Sequence, residues 1–107
     1  MLALLLTACS TPRVDDTPPP EEAFRFGGIS LPAGGKVLKT DYQRGIDVMY
    51  RVDVSIPAKD VQQLLKASNF APGVTEDSQL VDGHRVFRKV IVDPGDPATV
   101  HLSLFTT

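Results

Sequence analysis

Two histidines and a scatter of aspartates are the side chains of this 107-residue chain best suited to chemistry. His84 and His101 fall in or beside strand-like runs, with Asp82, Asp93 and Asp96 nearby in sequence. A zinc site needs three or four ligands in suitable geometry. However, Asp82-Gly83 and Asp93-Pro94-Gly95-Asp96 read as turn chemistry, without the alternating acidic spacing of an EF-hand loop. No metal is therefore expected. Asp47 and Asp53 share a strand face but stand roughly 20 Å apart by strand rise, too far for an acid/base pair. With Arg51 they are expected to form a solvated face. No serine sits in a Gly-x-Ser-x-Gly elbow. Gly34-Gly35-Lys36 lacks both the earlier glycine and the following Ser or Thr of a phosphate loop. These residues assign no catalytic group and no cofactor, and the chain is expected not to be an enzyme.

Cys9, the single cysteine, points elsewhere. It follows an uncharged apolar run, Leu2 to Leu6, and ends the tetrad Leu6-Thr7-Ala8-Cys9. That tetrad resembles the lipobox of bacterial lipoproteins, in which an aliphatic residue and two small residues precede a cysteine. The resemblance implies a diacylglycerol on the Cys9 sulfur and cleavage just before it. It also implies a place in the cell envelope, outside the cytoplasm: on the outer face of the cell membrane, or in an outer membrane where one exists. Signal peptides open with basic residues and carry an apolar core of about 7–15 residues. No Lys or Arg precedes Arg13, so residues 1–8 are expected to be the remnant of a truncated signal peptide. The segment is far short of the ~20 residues that span a bilayer.

Residues 10–22 hold Asp15, Asp16, Glu21 and Glu22 against Arg13, a net of −3. The whole chain is −2, so residues 23–107 carry +1. That is too weak for the basic footprint of a nucleic-acid binder. The segment has four prolines and a single aliphatic side chain, so it cannot bury enough apolar area to offset its ordering entropy. Residues 9–22 therefore read as lipidated cysteine plus tether, and residues 23–107 as one small domain.

The elements that must position the domain's residues follow from periodicity. Residues 27–35 are expected to be loop, because Gly27-Gly28, Pro32 and Gly34-Gly35 break any pattern. Lys36 to Tyr42 fits a strand. Ile46 to Ile56 alternates apolar and polar almost throughout, with Met49 the exception, which predicts a strand with one wet face. The two would pair as a hairpin around Gln43-Arg44-Gly45. Pro57 to Asn69 reads as a helix, with Pro57 at its first position and Val61, Leu64, Leu65 and Ser68 on one stripe. Residues 71–79 read as loop. Strands follow over 85–93 and 99–105.

The order strand-strand-helix-strand-strand predicts an α+β fold: a four-stranded, mainly antiparallel sheet with one helix on one face. The helix would cover Val48, Val52, Val54, Val100, Leu102 and Leu104. Met49, Phe87 and Phe105 would lie on the opposite face as an apolar contact patch, unless residues 23–35, with Phe24 and Phe26, fold back over them.

Together these features predict a lipid-anchored, non-enzymatic envelope protein. Its partners would be the membrane, through the lipid on Cys9, and another envelope protein, through the patch or a sheet edge. The alternative is an inhibitor or immunity protein that blocks a secreted hydrolase or toxin with loops 27–35 and 70–79.

Overall fold

The computed structural model describes residues 18–45 and 47–106. The chain runs α1 (Pro20–Gly27), β1 (Lys36–Arg44), β2 (Val48–Ile56), a 3-10 turn (Ala58–Asp60), α2 (Val61–Ala67), β3 (Glu76–Val81), β4 (His84–Asp93) and β5 (Ala98–Phe105). The strands form one antiparallel sheet in the order β1-β2-β5-β4-β3. The fold is α+β, as expected, with the 36–44/48–56 hairpin in place.

Among the described residues two elements exceed the expectation, giving five strands where four were expected and two helices where one was. β3 reads Glu-Asp-Ser-Gln-Leu-Val. As an edge strand it needs no apolar face, so it lacks the pattern that marks a buried strand. α1 begins at Pro20, inside the stretch read as tether, and runs into the stretch read as loop. Its signals are local: proline at the first helical position, Glu21 and Glu22 in the first turn, and Gly28 in the left-handed region (φ 66°) at the end. Two backbone bonds close it, Gly28 N–H to Arg25 and Ile29 N–H to Phe24. α2 is shorter than its expected span because its first turn is 3-10 and Asn69 turns left-handed (φ 65°). Phe70 N–H then caps it on the Leu65 carbonyl.

Both helices lie on one face of the sheet. Beneath them Val52, Val54, Ile56, Val86, Val100, Leu102 and Leu104 are fully buried, joined by Tyr50, Val90 and Leu64. Complete burial of each such aliphatic side chain contributes about 1.5–3 kcal/mol. The expected core face is the observed one. α1 comes so close that a Cβ on Gly27 would stand 2.7 Å from the Leu104 side chain. Phe24 and Phe26 pack against this same core, with Phe26 4.8 Å from the Tyr50 ring. They do not fold over the opposite face.

Candidate interaction surface

The other face carries the odd-numbered residues of β2, β4 and β5. Pairing registers align them in rows across the strands. One row runs Gln43–Met49–Phe105–Phe87–Ser78. Met49, Phe87 and Phe105, far apart in sequence, therefore stand side by side. The two phenyl rings stack at 24° with centroids 5.7 Å apart, an arrangement worth about 0.5–1.5 kcal/mol beyond area burial. All three residues are half-buried. A shallow groove of about 410 Å³ adjoins the two phenylalanines, lined by Glu76, Ser78, Phe87, Lys89 and Phe105 among others. The next row is charged: Asp41–Arg51–Ser103–Lys89–Glu76. Its cations sit near the middle and its acids at the edges.

Two rows from the aromatic pair, His101 bridges three strands. Its Nδ1 lies 2.7 Å from Asp53 Oδ1 on β2, and its Nε2 2.8 Å from Asp93 Oδ2 on β4. With a carboxylate against each ring nitrogen, the doubly protonated ring donates twice. Hydrogen bonds to Asp93 and then Asp53 raise its pKa above the ordinary 6.5. Asp53 is thus tied to a histidine and is not merely solvated as the sequence suggests. The signal for this site is strand register. Once β2 and β5 pair with Val52 opposite Leu102, Asp53 must face His101.

The remaining sequence candidates do not converge. His84 is exposed at the start of β4, 5.6 Å from the Phe26 ring. Asp82 (φ 50°) and Gly83 (φ 87°) form the tight β3–β4 turn, whose positive φ values suit hairpin twist. Asp96 accepts a hydrogen bond from Ala58 N–H at 3.2 Å. Asp47 is exposed ahead of β2. Among the described residues, no three His, Cys, Asp or Glu side chains gather as a metal ion would need. Cys9 lies outside the described residues. Among the described residues no helix is long and apolar enough to cross a membrane. The two segments read as loops are partly drawn into the fold: Ile29 and Phe70 are buried, and β3 begins at Glu76.

A second charged cluster, invisible to sequence reading, lies under the helices. Arg88 is 2% exposed. Its Nε and Nη2 donate to Asp77 Oδ1 and Oδ2, each at 2.8 Å. Its Nη1 donates to the carbonyls of Gly27, Gly28 and Ser68. The guanidinium lies 4.1 Å from the Phe70 ring centroid. One side chain thus closes the ends of both helices against β3. The Arg88 hydrogen bonds hold the Asp77 carboxyl below its ordinary pKa of 3.8 despite its partial burial. Nearby, Tyr50 Oη donates to Glu22 Oε2 at 2.6 Å, pinning the start of α1. Burial, followed by that bond, raises the Tyr50 pKa well above its ordinary 10.

Comparison with protein-family models, with curated proteins and with solved structures finds no match for this chain.

Proposed function

We propose that this chain is a lipid-anchored protein of the bacterial cell envelope, held through Cys9, whose domain is a non-enzymatic binding module for another envelope protein. The contact surface is the face opposite α1 and α2, at Met49, Phe87 and Phe105. The observation that carries this reading is their register: three apolar side chains from three strands form one row on a face that neither helix covers. An apolar row amid charges is the composition of a contact patch. The lipobox resemblance adds the second support. A tethered domain meets its membrane neighbours at high effective concentration, so modest affinity suffices.

Two measurements test it. Mass analysis of the mature N-terminal peptide should find a diacylglycerol on Cys9, and Cys9→Ala should move the protein out of the membrane fraction. With the anchor intact, Met49→Ser/Phe105→Ser should keep a native circular dichroism spectrum and lose cross-linked recovery of its partner by about tenfold. Full recovery of the partner by that variant would remove this face from the reading.

A further inference from the structure

The two edges of the sheet are not alike. β1 slips register between Val37 and Lys39, leaving Leu38 as an extra residue, and carries the Lys39–Asp41 ion pair. A bulge blunts an edge against further pairing; charge does not separate the two edges, since on β3 Glu76 pairs with Lys89 at 3.7 Å. β3 keeps continuous register from Glu76 opposite Lys89 to Val81 opposite His84. Its outer backbone groups make no other backbone hydrogen bond among the described residues. The groove beside Phe87 and Phe105 opens along this strand. Leu80, 68% exposed, lies on the same strand and face as Ser78 and Glu76.

We infer that β3 is the docking edge, and that the partner adds an extended segment to it as a sixth, antiparallel strand. This rests on the binding-module reading above and names how the partner is held. The rows of the sheet specify the segment's chemistry, because directly opposed side chains are the unit of sheet stabilisation. The aromatic row Phe105–Phe87 ends at Ser78, which is too small to cover Phe87. The segment residue opposite Ser78 is therefore large and apolar. The residue opposite Leu80 is aliphatic, covering that exposed side chain. The charged row ends Lys89–Glu76, so the residue opposite Glu76 is basic. Antiparallel pairing orders these, from the segment's N-terminus, as aliphatic, any, aromatic, any, basic. Main-chain bonds to the edge supply affinity, and the alternate side chains supply selection. A second copy of β3 in that place would leave Glu76 opposite an apolar end, a poorer charge match.

The test uses the full chain, isotope-labelled, and a ten-residue synthetic peptide with leucine, phenylalanine and lysine alternating with threonine in that order. Amide shifts on titration should concentrate on Glu76–Val81, and the amides of that strand should gain protection from exchange. Glutamate in place of the peptide lysine should weaken binding roughly tenfold. Ser78→Lys, which sets a charge in the middle of the edge, should do the same without disturbing the remaining spectrum. Shifts confined to β1, no shifts at millimolar peptide, or dimerisation through β3 would each overturn the inference. If the peptide fails while Met49→Ser/Phe105→Ser still loses its cellular partner, strand addition falls and the contact face stands. If that variant keeps its partner, the underlying reading falls as well.

Discussion

Arg88 and, when protonated, His101 are cations held by carboxylates on neighbouring strands, on opposite faces of one sheet. Arg88 lies beneath the helices with its side chain 1% exposed; His101 lies on the uncovered face at 38%. Each makes short, charge-assisted hydrogen bonds of 2.7–2.8 Å. Geometry therefore does not distinguish them, and solvent does. A buried charge deprived of its partner stays desolvated and uncompensated, whereas an exposed one is met by water. The sheet thus carries a structural ion cluster on one side and an adjustable one on the other.

The largest effect should come from Arg88→Ala. It leaves the Asp77 carboxylate with only the Gln79 hydrogen bond and strands three carbonyls, and should cost about 3–5 kcal/mol in urea unfolding. Arg88→Lys should restore little, since lysine lacks the fork that meets Asp77 and the helix ends together. A loss below about 1 kcal/mol would place Arg88 in the same class as His101 and erase the contrast.

A smaller effect should appear in acid. The folded Asp77 pKa is depressed, so the unfolded chain binds that proton first. The contribution is complete above the ordinary value near 3.8 and is lost as pH falls through the folded value. Asp77→Asn should flatten the acid limb of the stability curve measured below pH 4.

The smallest effect belongs to His101, and it runs the other way. Its folded pKa is raised, so its contribution is complete below about 6.5 and is lost as pH rises through the folded value. Given its exposure, this slope should total less than about 1 kcal/mol. His101→Asn should remove it, as read from denaturation midpoints between pH 6 and 9. A slope as steep as that of Asp77 would show the open face to be better shielded than its exposure implies.

What the sequence disclosed tracks how local the signal is. Alternation over Val48–Ile56 and Ala98–Phe105 exposed both central strands and, through parity alone, put Met49, Phe87 and Phe105 on one face. β3 escaped because an edge strand that opens Glu-Asp-Ser-Gln carries no apolar period. α1 escaped because its proline start adjoins a proline run. Arg88 was the hardest to see: amid Val86, Phe87 and Val90 its charge suggests the wet face, yet parity places it in the core. Only the tertiary arrival of Asp77 and of two helix ends makes that position tolerable. The His101 cluster needed strand register, which sequence alone did not supply.

β5 comes last of the five strands yet sits at the middle of the sheet, between β2 and β4. The β1–β2 hairpin and the β3–β4–β5 meander are each built from near neighbours. They meet along one seam, from Met49 opposite Phe105 to Ile56 opposite Ala98. Two-stranded hairpins are marginal on their own in water, and this seam closes the longest loops of any strand pairing in the sheet, whose entropy must be met before its contacts form. The hairpin and the meander become one sheet only along this seam, so whatever loosens β5 there loosens both.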